Sequence, residues 1–209
     1  MPIVLLCGYK RTGKDSVYET LSTHRSNYIW QIYRDPEKFG NEFPPRHNRK
    51  VSRIAFADSL KDEVRRLYPF VCNVLDNEKD EKLFQMGEIL VSLRDIYKIV
   101  GSEKRQADPE HWCKLALQDL TRCPINMHYT IVTDWRYQNE LEYIRHNFSD
   151  IITVRIYRSS VIEPDLDDET EHDLDNITTD ILLLPINEDF GKVSERFPQY
   201  AHYRKSGVI

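Results

Sequence analysis

Lys14 closes a glycine-framed stretch, Gly8-Tyr9-Lys10-Arg11-Thr12-Gly13-Lys14-Asp15-Ser16, that follows the apolar run Ile3–Cys7. A strand that ends in such a turn and feeds a helix aims backbone N–H groups and the positive end of the helix dipole at one spot. A phosphate group suits that spot. Gly8 and Gly13 let the backbone wrap closely, and Lys14 would reach the outer phosphates of a nucleotide. Lys10, Arg11, Thr12, Asp15 and Ser16 complete the candidate phosphate-contacting set. The usual pattern, G-x-x-x-x-G-K-[ST], puts a magnesium-ligating hydroxyl directly after the lysine. Here Asp15 occupies that position and the hydroxyl of Ser16 comes one residue later. A carboxylate is anionic, acceptor-only and more strongly attracted to magnesium than a hydroxyl, so both Asp15 and Ser16 are candidate metal contacts.

A second constellation is Tyr129 to Arg136, YTIVTDWR, in which an apolar strand delivers Asp134 to a sheet edge. An acid there can hold magnesium through water or orient an acceptor. It can equally serve as the N-cap of the next helix. Arg136, two residues on, is placed where a guanidinium could grip an acceptor phosphate with two hydrogen bonds.

These residues need a scaffold that presents several strand ends on one edge. Ile3–Cys7, Tyr129–Thr133, Ile151–Tyr157 and Asp180–Leu184 are nearly continuous apolar runs, as strands buried on both faces of a parallel sheet should be. Helical spacing links Val17 with Leu21, and Leu60, Val64, Leu67 and Tyr68. It also links Trp112, Leu115 and Ala116 after the Asp108-Pro109 start, and Tyr137, Leu141, Ile144 and Phe148. The alternation predicts an α/β fold, a three-layer doubly wound and mostly parallel sheet with ligands at the carboxyl ends of its strands. One domain over 1–209 is expected. Residues 34–50, charged, proline-rich and aperiodic, are predicted to form a loop insertion. Residues 76–108, charged and without an obvious strand, are predicted to form a helical lid.

The net charge of -5 and basic residues spread along the chain argue against nucleic acid as the main partner. The four cysteines form no C-x-x-C pair, and the histidines do not fall at zinc-ligand spacings. No run approaches a membrane span of about 18 apolar residues, and the N-terminal apolar run lacks the flank of a signal peptide. A cytoplasmic protein, monomeric or homodimeric, with no membrane partner is expected. The acidic stretch Glu163–Asp173 lacks the ligand spacing of a calcium loop and is assigned to solvent. His172 and Trp112 are assigned to local packing.

At the level of motifs the chain resembles a superfamily of P-loop kinases. GYKRTGKDS is similar to the loop of the phage-type deoxynucleoside monophosphate kinases and the animal-type phosphomevalonate kinases, in which an aspartate follows the lysine. Phe56-Ala57-Asp58-Ser59-Leu60-Lys61 resembles an acceptor-site segment ending in P-L-K, with Ser59 in place of proline, and Arg94 matches an arginine of a lid-side helix. Gly101–Pro109, GSEKRQADP, is close to the phosphomevalonate kinases. Asp134–Glu140, DWRYQNE, is closer to the nucleotide kinases. Glu169–Asn176 with Asp180 and Asn187 fits a pattern common to both, and its Thr170 and Glu171 are expected near the nucleotide or the lid.

The resemblance implies ATP and Mg2+ as cofactors and a small phosphomonoester as acceptor. It implies substrate contacts from Asp58, Lys61, Arg94, Lys104, Arg105 and Arg136, and catalytic roles for Lys14, Arg105, Asp134 and Arg136. Metal contacts fall to Asp15, Ser16 and Asp134. Lys104-Arg105 would stand just before a helix start, where a lid could carry the pair toward the transferred group. A nucleoside monophosphate is the leading acceptor and phosphomevalonate the competitor. A nucleotide-binding protein without transfer activity is the reading from another class.

Overall fold

The computed structural model describes residues 2–23, 29–37, 51–75, 77–122, 129–161 and 172–209. Two compact units emerge, one from Met1–Ile54 with Leu120–Ile209 and one from Ala55–Asp119.

The first unit is an α/β structure around a seven-stranded sheet. Its strands are β1 (Ile3–Cys7), β2 (Trp30–Arg34), β3 (Val51–Ile54), β6 (Tyr129–Val132), β7 (Ile151–Ile156), β8 (Ile181–Pro185) and β9 (Arg204–Val208), in the spatial order β3-β6-β1-β7-β8-β2-β9. The first five in that order are mutually parallel, and β2 and β9 add an antiparallel margin. Successive side chains alternate between faces. On β8, Ile181 and Leu183 join a core with Val4, Leu6 and Val154 under α1 (Lys14–Thr23), which contributes Val17 and Leu21. Leu182 and Leu184 join the opposite core with Val193 of α6 (Phe190–Arg196) and Phe197. Helices therefore cover both faces. The fifth helix, α5 (Gln138–Asn147), buries Leu141 and Ile144 of the expected stripe, while Tyr137 and Phe148 flank its two ends.

The four apolar strands expected from the sequence are present within a residue at their ends. Arg34 closes β2 instead of opening an irregular segment, because the alternating hydrogen bonds of β8 and β9 take up that stretch. Of the expected insertion only 34–37 falls among the described residues, and beyond the end of β2 Glu37 N donates to Asp35 Oδ1 at 2.9 Å.

The second unit holds α2 (Phe56–Leu67), a hairpin of β4 (Leu83–Met86) and β5 (Ile89–Ser92), α3 (Leu93–Ala107) and most of α4 (His111–Arg122). The hairpin corrects the expectation of a purely helical lid over 76–108. Its inward residues Phe84, Met86 and Val91 alternate with polar or exposed ones, and they pack with Val64, Val71, Leu93, Ile96 and Val100. Helix α4 begins at His111, three residues beyond Asp108, which instead ends α3 and binds Lys114 Nζ at 2.9 Å. Trp112 is buried as expected and donates from Nε1 to Gly101 O at 3.3 Å. No helix among the described residues is long and apolar enough to cross a membrane.

Candidate active site

In the first unit β1 lies between β6 and β7, and the chain passes from one side of it to the other. Such a switch point opens a crevice at the carboxyl ends of the strands. The turn after β1 and the segment after β6 therefore leave neighbouring parallel strands at the same edge, since Leu5 pairs with Val132.

The turn is built by backbone conformations that side chains resist. Gly8 has φ +144° and Gly13 φ +101°, and Arg11 between them sits at φ 69°. A Cβ on Gly8 would strike the Ile156 carbonyl oxygen, and one on Gly13 would lie 2.9 Å from the Trp30 ring. Repeated sign changes of φ curl a chain so that amides face inward, which makes a concavity suited to anions. Thr12, fully buried, donates from Oγ1 to Tyr9 O at 2.9 Å, so its hydroxyl fastens the turn from within. Val17 N bonds Gly13 O at 3.0 Å, which starts the helix immediately behind the turn. The first-turn amides of α1 then point out along its axis. Lys14 curls back over the turn, with Nζ donating to Gly8 O at 2.5 Å and Tyr9 O at 2.9 Å. Asp15, Lys10 and Arg11 are exposed, and Ser16 is half-buried.

Behind this turn lie groups that no local motif announces. Tyr9, buried, donates from Oη to both carboxylate oxygens of Asp175 at 3.0 Å. Burial, ahead of the Arg196 and Asp175 contacts, pushes the Tyr9 phenol above its ordinary range. Arg155, paired with Cys7 across β7 and β1, is buried; it donates to Tyr200 Oη at 3.0 Å and to Leu174 O, and it stands 3.7 Å from Asp175. Burial pushes the Cys7 thiol up despite the neighbouring Arg155 and Lys14 charges. Trp30 floors Gly13 from β2, with the Arg158 guanidinium 5.8 Å from its ring centroid.

After β6, Asp134 and Arg136 are half-buried on either side of the buried Trp135. Asp134 does not cap the following helix. That helix starts at Gln138, and the buried carboxylate of Glu140 reaches back to the amides of Arg136 at 2.9 Å and Tyr137 at 3.1 Å. Asp180, part of the shared late pattern, is a structural clip: its carboxylate accepts from Thr153 N at 2.8 Å and Thr153 Oγ1 at 2.6 Å. Asn187 is exposed just after β8, and Thr170 and Glu171 lie outside the described residues, as does most of the acidic stretch 163–173.

Asp58, Lys61, Arg94, Lys104 and Arg105 all belong to the second unit. Leu60 packs on Gly101, and Lys104 Nζ approaches Glu63 at 3.5 Å, so Lys104 and Arg105 lie where α2 meets α3, and Lys61 belongs to the same α2 helix. Hydrogen bonding from Arg66, then the charges of Arg66 and Lys104, hold the Glu63 carboxyl below its ordinary range. Lys104 and Arg105 lie within the last turn of α3 and not in a connection leading into the next helix; cations there complement the helix dipole. Arg94 is at the other end of α3, about 16 Å away at 1.5 Å per residue, in a two-pronged pair with Asp80. No protein-family model matches the chain.

Proposed function

We propose that the protein is an ATP- and magnesium-dependent phosphotransferase that moves the γ-phosphoryl group to a small phosphomonoester, a (deoxy)nucleoside monophosphate, giving the diphosphate. The observation that carries this reading is the turn between β1 and α1, with glycines at positive φ, first-turn amides directed outward and the Lys14 ammonium drawn back over its carbonyls. A polyphosphate in that concavity takes its hydrogen bonds from backbone and its charge compensation from Lys14. Asp134 and Arg136, at the end of the adjacent strand, supply a carboxylate and a guanidinium on the same edge. The five parallel strands with a switch point at β1 support a P-loop kinase architecture of the nucleoside monophosphate kinase kind, and the resemblance of DWRYQNE favours the nucleotide acceptor.

Magnesium fits the donor set. It keeps several waters and needs only one or two carboxylates beside phosphate oxygens. Asp15 and Asp134 are carboxylates of that kind, while the described residues hold no group of three or more His, Cys, Asp or Glu arranged to hold a metal ion by themselves. Bound magnesium would neutralise charge on the β- and γ-oxygens. The protein's own work is positioning. Lys14 and the loop amides hold the donor, and Arg136 grips the acceptor phosphate. No general base is required, because a phosphomonoester has its second pKa near about 6 and already presents an anionic nucleophile at neutral pH.

The test is ADP release measured with each ribo- and deoxyribonucleoside monophosphate and with phosphomevalonate. Stimulation by a nucleotide, reduced roughly 100-fold or more in Lys14→Ala with unchanged melting, is the expected result. Stimulation by phosphomevalonate alone would transfer the acceptor assignment to that compound. ATP binding with no acceptor-stimulated release would make the protein a non-catalytic nucleotide binder.

A further inference from the structure

Tyr9 is the residue on which the phosphate-binding turn converges. Its carbonyl accepts from Lys14 Nζ at 2.9 Å, Thr12 Oγ1 at 2.9 Å and Thr12 N at 3.3 Å, so the placement of one peptide group fixes both the lysine and the turn. The other end of Tyr9 is fastened outside the turn, by the hydroxyl that donates to both oxygens of Asp175. Asp175 is not a loose surface carboxylate. His172 Nδ1 lies 2.7 Å from it, Arg155 approaches at 3.7 Å, and its backbone carbonyl accepts from Gln199 Nε2 at 2.9 Å. Arg155 in turn binds the carbonyls of Leu174 and Ile177, which ties the whole turn to β7.

Two residues before Asp175, the Asp173 carboxylate accepts from Gln138 N at 2.7 Å. Gln138 opens α5 and follows Asp134 and Arg136 by only a few positions. One short stretch, His172–Asp175, therefore makes fixed contacts both to the turn after β1 and to the segment after β6.

From these contacts we infer that His172–Asp175 is a strut that sets the Lys14 turn and the Asp134–Arg136 segment in one frame, with Asp175 and Asp173 as its two positioning residues. Neither aspartate is asked to touch a substrate. Asp175 acts through Tyr9 on the donor side, and Asp173 acts through Gln138 on the acceptor side. The Tyr9 phenol, held above its ordinary range by burial, stays a hydrogen-bond donor throughout neutral pH. The inference rests on the phosphate-loop reading of residues 8–16, and its test has one arm that needs no nucleotide.

Full-length wild type, Tyr9→Phe, Asp175→Asn, the double variant and Asp173→Ala would be compared by peptide-level hydrogen exchange, thermal melting and steady-state kinetics. Exchange over residues 8–14 should quicken roughly ten-fold in Tyr9→Phe and in Asp175→Asn, with the double variant no worse than either, as expected for two halves of one contact. The KM for ATP should rise in parallel in those variants. Asp173→Ala should instead quicken exchange over 134–140 and raise the acceptor KM, leaving the ATP KM near wild type. Tyr9→Phe keeps the ring in its packed position and so remains informative if Asp175→Asn folds poorly. Wild-type exchange in both segments, or strictly additive effects in the double variant, would overturn the strut. If wild type shows no ATP turnover at all, the kinase reading falls while the exchange arm still decides the inference.

Discussion

Gly13 and Trp30 illustrate how much of the site is set by single atoms. An alanine at 13 must hold φ near +101° and bring its methyl within 2.9 Å of the indole. Gly13→Ala should cost about 2 kcal/mol or more in urea unfolding and abolish nucleotide binding. The obstructing atoms belong to the far edge of the indole, so Trp30→Phe in the same chain should restore part of the stability but not all of it, because the backbone strain stays. Recovery of none would show that space is not the obstacle. Asp15 and Ser16 make a second contrast within one turn of helix. Asp15 is exposed at the first turn of α1, whereas Ser16 is half-buried and its carbonyl accepts from Thr20 Oγ1 at 2.7 Å. Asp15→Ser should raise the magnesium concentration needed for half-maximal ADP release several-fold, and Ser16→Ala should leave it nearly unchanged. A magnesium curve for Asp15→Ser that overlays wild type would remove the carboxylate from the metal.

Among the elements, α3 offers the clearest titratable start signal, a capping box at its N-terminus. Ser92 Oγ accepts from Asp95 N at 3.1 Å, and the Asp95 carboxylate accepts from Ser92 N at 2.9 Å and Ser92 Oγ at 2.6 Å. The Ser92 hydroxyl and then its amide hold the Asp95 carboxyl below its ordinary range. A depressed folded pKa means stability that is present above the unfolded value, about 4, and is lost as pH falls through the folded value. Replacement by Asn should thus cost about 1 kcal/mol near neutrality, with the gap closing as acid melts are taken progressively below pH ~4. A gap that persists undiminished in acid would mean that the charge is irrelevant to the cap.

The same scale explains what could be read ahead of the coordinates. β1, β6, β7 and β8 are buried on both faces, so solvent exclusion writes them as continuous apolar runs. β3 (VSRI) and β9 (RKSGV) are sheet margins whose polar residues are tolerated because one edge faces water, and only pairing with β6 or β2 makes them strands. β4 and β5 are four residues each and are held by the core of Val64 and Ile96. The Lys14 turn was legible because its residues are contiguous. Tyr9 and Asp175 are 166 positions apart, and no spacing rule reaches across that distance.

For the whole molecule, the sharpest contrast in burial is between the central strand β1 and the β4–β5 hairpin. Ile3, Val4, Leu5 and Leu6 are wholly inaccessible to solvent, whereas Leu83, Ile89 and Leu90 of the hairpin are 55–65% exposed. Isolated two-stranded hairpins are marginal in water, and regions with few buried contacts open locally at low free energy. Hydrogen exchange should therefore proceed first through β4 and β5, later through α2 and α3, and last through β1 and β7. Protection of the hairpin equal to that of β1 would contradict this ordering.

β9 gives the chain an unexpected genetic sensitivity. Ile209 N and O bond Trp30 O and N at 3.0 and 2.8 Å, and Trp30 is the floor on which Gly13 rests. An in-frame deletion of codons 204–209 removes only six residues, a lesion that would ordinarily be scored as mild. In this chain it strips the outer partner from β2 and loosens the support of the Lys14 turn. Such an allele should behave as a null, and missense alleles in the same six codons that keep the backbone pairing should behave as wild type.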